Sequence, residues 1–102
     1  MRPTLQTAAN GHLTIDFNAL PESHWEALTT RLMETGGFHR IGQTVMGLDE
    51  AILPSFQRAG MTLAAGWNIW SGHYLLSECA AGDEFLRTLF SELGNEGFLP
   101  PV

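Results

Sequence analysis

The chain reads as a single small α+β domain, a mostly antiparallel or mixed sheet with two main helices on one face. Three features predict this: two strand-like runs flank Ser71-Gly72 between Met61 and Ala80, and two stretches of helically spaced apolar residues begin near Ser23 and Asp83. With 102 residues, 44% hydrophobic and 16% charged, the composition is that of an ordered globular protein. A chain of this length hides about two-thirds of its unfolded surface, enough for one domain across 1–102.

Residues 1–10 read as a loose arm. From His12 to Phe17, apolar Leu13, Ile15 and Phe17 alternate with His12, Thr14 and Asp16, the period of a half-buried strand. Ser23-His24-Trp25-Glu26 fits a capping box with Pro21 upstream, and Trp25, Leu28 and Leu32 recur at helical spacing until Gly36-Gly37. This predicts a helix over about 22–35, with His24, Arg31 and Glu34 toward water. Phe38 to Leu48 is β-leaning but interrupted by Gly42 and Gly47. Asp49 reads as the cap of a short helix between Leu48 and Ala59, broken or restarted at Pro54 and ended by Gly60.

Asp83 reads as the N-cap of a final helix over 83–93, with Phe85, Leu86, Leu89, Phe90 and Leu93 on its apolar face and Gly94 as its stop. Residues 95–102, with Pro100-Pro101, read as a non-helical tail. The simplest layer arrangement sets the helices on one face of the sheet.

If Ser71-Gly72 is a two-residue turn, Trp70 faces His73, Asn68 faces Leu75 and Trp67 faces Leu76. Alternation then gives a core face of Met61, Leu63, Ala65, Trp67, Ile69, Tyr74 and Leu76. The opposite face carries Thr62, Ala64, Asn68, Trp70, His73, Leu75, Ser77 and Cys79. Trp70, His73 and Asn68 at the tip would form an amphipathic patch of the kind enriched at interfaces, with Trp70 its anchor. The alternative is that Trp70 folds over a neighbouring element and closes a second small core.

Five Lys+Arg against eleven Asp+Glu give a net charge of −6, which opposes binding to a phosphate backbone. The basic residues, Arg2, Arg31, Arg40, Arg58 and Arg87, are scattered, and lysine is absent. Nucleic acid is therefore not an expected partner. The amphipathic helices lack a basic face, and no run approaches a membrane span, so no membrane partner is expected either. Met1-Arg2-Pro3 leads into polar residues rather than an apolar signal segment, and the lone Cys79 fits a reducing compartment; the expected location is the cytoplasm.

No catalytic or cofactor motif stands out. His12, His24, His39 and His73 lie on separate elements without metal-ligand spacing. Cys79 and His73 sit six residues apart on one strand, about 20 Å, too far for a nucleophile and its base, so Cys79 reads as a small buried hydrophobe. Capping explains Asp49-Glu50 and Asp83-Glu84. The glycines match neither a Walker loop nor a dinucleotide fingerprint, and no cofactor is expected.

These features point to an acidic cytoplasmic protein-binding module without enzymatic activity. Within that class they fit a bacterial inhibitor or immunity protein that neutralises a basic toxin or effector, such as a nuclease, by direct binding. The expected partner-binding residues are Trp70, His73, Asn68, Asp49 and Glu50. A second reading is a small enzyme or ligand-binding subunit with a site around His73, Glu78, Asp49 and Glu50. A third is a homodimeric assembly protein.

Overall fold

The computed structural model describes residues 3–18 and 20–95. Among them, seven strands and two helices form in the order β1 (Thr4–Thr7), β2 (Leu13–Asp16), α1 (Glu22–Glu34), β3 (His39–Ile41), β4 (Val45–Met46), β5 (Glu50–Arg58), β6 (Met61–Asn68), β7 (Gly72–Ser77) and α2 (Ala80–Asn95). The strands make one antiparallel sheet in the order β1-β2-β7-β6-β5-β3, with β4 also paired to β5. The α+β class and the single domain are as the sequence predicts.

Register separates the two faces of the sheet. Leu5, Ile15, Leu75, Ala65 and Leu53 form one cross-strand row, and Ser77, Leu63 and Phe56 form another beside it. Ile15, Phe17, Phe56, Leu63 and Leu75 on this face are fully buried with Leu28 of α1 and Leu86 of α2. Trp25 and Leu32 of α1, with Leu89 and Leu93 of α2, complete the same cluster. Both helices therefore close one side of the sheet. Arg58 ties its edge, donating to the Gly36 carbonyl with its guanidinium over the rings of Phe38 and Phe85.

Helix α1 follows its apolar spacing, but its start departs from expectation. Pro21 occupies the N-cap position without any side-chain cap bond, and Ser23 is already helical, so the capping box does not form. Proline fits here because its fixed φ suits helix entry. Glu34 is exposed as expected, whereas His24 and Arg31 are half-buried, and Arg31 reaches Glu92 of α2 at 3.3 Å.

The supposed loose arm contains β1, paired antiparallel to β2 through Thr4↔Asp16 to Thr7↔Leu13. Four alternating residues, with Leu5 turned to the core, are too short a signal to distinguish from coil. The supposed short helix at 48–59 is instead the nine-residue strand β5. Pro54 is tolerated because the neighbouring edge is interrupted: β4 ends its pairing at Val45↔Ile52, and β3 begins at Ile41↔Ser55. The β6 side carries a bulge between Leu53 and Phe56, where a strand proline is at home. Arg40 donates twice to the Pro54 carbonyl, at 2.8 and 3.1 Å, and covers the Phe56 ring.

Helix α2 begins three residues before the expected Asp83 and runs through Gly94 to Asn95, while 96–102, the rest of the expected tail, lie outside the described residues. The cap is Cys79, whose sulfur accepts the Gly82 N–H at 3.4 Å. Gly82 leaves room for the Ser77 side chain, which a Cβ would strike. Asp83 turns back to β2, accepting from Leu13 N and the His12 imidazole, each at 2.9 Å. These two contacts, the His12 bond foremost, hold its carboxyl down to about 2, aided by the helix's positive end.

Two outcomes are expected. Cys79→Ala should cost about 1 kcal/mol of stability in denaturant unfolding, whereas Cys79→Ser keeps an acceptor at the cap and should hold stability close to wild type. The Asp83 carboxyl titrates lower in the folded chain than in the unfolded one, near 3.9. Its stabilising effect is thus complete above that value and lost as pH falls toward 2. Thermal melts from pH 5 to 2 should show a shallower acid decline for Asp83→Asn, whose unfolding takes up no such coupled proton.

Candidate functional site

The hairpin at 61–80 forms, but with a different turn. Asn68 pairs with Gly72, Trp67 with His73, Gly66 with Tyr74 and Ala65 with Leu75, leaving a three-residue loop, Ile69-Trp70-Ser71. Asn68 builds it: its Oδ1 accepts the N–H groups of Trp70 (3.0 Å) and Ser71 (2.6 Å), the local bonding that makes asparagine a turn residue. Gly72 closes it at φ 66, in the left-handed region that glycine enters without penalty. A Cβ at Gly72 would also overlap the Asn18 carbonyl oxygen. Asn18 itself has φ 55 and bridges to Gly72, so the root of the loop is pressed against the segment after β2.

This register differs from the expected one by an odd number of residues, which turns every β7 side chain over. His73, Leu75 and Ser77 face the core, while Tyr74 and Leu76 lie on the open face of the sheet. Of the residues expected on the core face of the first strand, Leu63 and Ala65 are buried, whereas Ile69 falls beyond the end of β6 in the loop and is 54% exposed. Tyr74 lies across Gly66, where a Cβ would meet its ring. Burial raises the Tyr74 phenol above its ordinary value, and the charges of Glu50 and then Asp16 add to this.

His73 therefore leaves the expected patch. It is 9% exposed, stacked on the Trp25 indole with centroids 4.3 Å apart and planes 11° from parallel. Its Nε2 lies 3.6 Å from a Glu22 oxygen. Burial lowers the imidazole below its ordinary value, against a smaller upward pull from Glu22. Trp25 in turn meets Phe17 edge-on at 5.8 Å.

Trp70 does not fold over a second core: it is 76% exposed. Beside it stands an apex that sequence reasoning missed. Gly47 N–H donates to Glu50 O at 2.7 Å, so β4 and β5 form a hairpin whose two-residue turn is Leu48-Asp49. Leu48 is fully exposed, at 101%. Ile69 N–H donates to Asp49 O at 3.0 Å, tying the two turns side by side at one end of the sheet. Val45, Met46, Ile52 and Ile69 are also exposed. Val45 and Ile52 are cross-strand partners on the open face, in the row next to Glu50.

Of the expected partner-binding residues, Trp70, Asp49 and Glu50 thus lie together at this end, with Asn68 supporting the loop and His73 turned inward. Leu48, Val45, Met46, Ile52 and Ile69 were not anticipated. The available signal was Val45 to Ile52, two apolar pairs around Gly47 to Glu50, which reads as a hairpin once the helix at 48–59 is set aside. Glu78, named for an enzymatic site, follows β7 at the opposite end from His73. Among the described residues no three of His, Cys, Asp and Glu come together as a metal site. Compared with family models, curated proteins and solved structures, the chain matches none of them.

The geometry at Gly72 gives a direct check on how the loop is held. Gly72→Ala combines a left-handed φ with a steric overlap and should cost about 2–3 kcal/mol in denaturant unfolding. Gly37→Ala, also at positive φ (73) but facing open space, should cost only about 1 kcal/mol. Equal costs would show that the Asn18 approach places no demand on the loop.

Proposed function

We propose that this protein is a protein-binding module that docks through the paired turns Leu48-Asp49 and Ile69-Trp70-Ser71. The observation carrying this reading is that Leu48 and Trp70, at 101% and 76% exposure, crown two hairpins joined by the Ile69–Asp49 backbone bond. Large apolar side chains grouped at one exposed end are costly in water unless something covers them. Short turns on a sheet also present them with little conformational entropy left to lose on binding.

The chemistry of the partner follows from what surrounds the apolar crown. Asp49 and Glu50 flank it, and the chain carries a net charge of −6, so a basic rim around an apolar recess is the complementary surface. The same acids disfavour an anionic membrane. A convex acidic end of this kind suits an inhibitor that enters and blocks the cleft of a basic enzyme, and the specific form of the proposal is an immunity-type protein that neutralises a toxin or effector such as a nuclease. The exposed crown also supports a homodimer, in which a second copy provides the cover.

Affinity capture with the tagged full chain from its source lysate tests the reading, with Trp70→Ala and Leu48→Ala as comparisons. A basic protein captured stoichiometrically by wild type, with at least about tenfold weaker binding by either variant and unchanged melting temperature, is the expected result. Replacing both Asp49 and Glu50 by their amides should slow association and reduce its salt dependence. Capture that is indifferent to all four positions would overturn the assignment. Mass that rises with concentration, and returns to monomer in Trp70→Ala, would identify the second copy as the cover.

A further inference from the structure

His73 is buried yet stands at the root of the exposed loop, and its surroundings are few. Helix α1 sets Trp25 flat against the imidazole at 4.3 Å and Glu22 at 3.6 Å from Nε2. Strand β6 contributes its cross-strand partner Trp67. The segment after β2 contributes Phe17, whose N–H donates to the His73 carbonyl at 2.8 Å. Glu22 is the one ionisable group among these neighbours, and Tyr74, next along β7, points to the opposite face. The following links are short: His73 adjoins Gly72, Gly72 is pressed on Asn18 and paired with Asn68, and Asn68 holds Trp70 and Ser71.

We propose that the Trp25–His73 stack is an acid-sensitive clasp, which holds the Ile69-Trp70-Ser71 loop in its docking conformation while His73 is neutral and loosens that loop when the ring is protonated. This regulation rests on the docking role proposed for the loop, but the clasp is a property of the free protein. An imidazolium loses more by burial than it gains. Stacking on the indole face and the nearby carboxylate both favour the charged ring; against the carboxylate, burial is the larger effect and lowers the ring below its ordinary value. Protonation is therefore met by movement of the ring toward water, out of the stack. Since β7 carries ring and loop on adjacent residues, that movement reaches Gly72.

The sign follows directly. A histidine in the unfolded chain takes up its proton near pH 6.5, and His73 in the folded chain takes it up at lower pH. The clasp is closed above about pH 6.5, and it opens as pH falls through the lower, folded value.

A pH titration of the isolated full-length protein by heteronuclear NMR, from pH 7.5 to 4.5, tests this without any partner. The His73 ring should titrate below 6.5. The backbone amides of Ile69, Trp70, Ser71 and Gly72 and the Trp25 indole should shift with the same midpoint. In His73→Phe, which keeps an aromatic ring against Trp25 but cannot ionise, that shared transition should vanish. Glu22→Gln should move the His73 midpoint further down, because the carboxylate that favours the proton is gone.

Loop amides that stay flat through the His73 transition, or respond equally in His73→Phe, would overturn the clasp. A His73 midpoint at or above 6.5 in wild type would do so as well, and it needs no variant to fold. Failure to find a docking partner would leave all these readings intact, whereas failure of the clasp would leave docking at neutral pH unaffected.

Discussion

The register between β6 and β7 is the constraint on which the rest of the structure depends. Side chains alternate along a strand, so a pairing shifted by an odd number of residues would exchange the two faces of β7. In the observed register Leu75 enters the fully buried row with Ile15 and Ala65, and Ser77 meets Leu63 under helix α2. Tyr74 then falls across Gly66, a glycine that provides the space its ring occupies. Asn68 and Gly72 set this pairing locally, and Asn18 reinforces it from the segment after β2. A turn and a core thus specify the same alignment from opposite ends of the hairpin.

Much of the architecture was legible because its signals are long and periodic. Trp25, Leu28 and Leu32 mark α1, Leu86, Leu89 and Leu93 mark α2, and the alternation from Leu13 to Phe17 marks β2; all of these are buried as their spacing implies, apart from half-buried Leu13. What was not legible depends on partners distant in sequence. Asp83 looks like a helix cap, but its carboxylate is claimed by Leu13 and His12, seventy residues away, which leaves the cap to Cys79. Asp49 to Pro54 looks like a helical start, but β6 on one side and the broken β3–β4 edge on the other draw it into a strand. Local preference is a fraction of a kcal/mol per residue, and two flanking ladders override it.

The candidate surface was legible in the same uneven way. Trp70 and the acids Asp49 and Glu50 could be named from sequence because a tryptophan near a turn and a pair of acids beside an apolar run stand out singly. Leu48 could not, since its significance comes from the hydrogen bond that sets its turn beside Trp70. His73 turns on the length of one loop: the sequence predicts a two-residue turn, and the structure has three residues between Asn68 and Gly72. That difference moves His73 from surface to core and changes the kind of question it poses, from what it touches on a partner to what its charge state does to the fold.

The interruption of the sheet at Pro54 has a consequence for how the molecule behaves in a crowded solution. A long straight outer strand offers a template on which another chain can add. Here that side is split into the three residues of β3 and the two of β4, with a proline and an arginine-capped carbonyl at the gap. No ladder longer than a few bonds can grow there. The molecule can therefore carry a sticky apolar crown at one end while the border beside it resists fibril-like stacking.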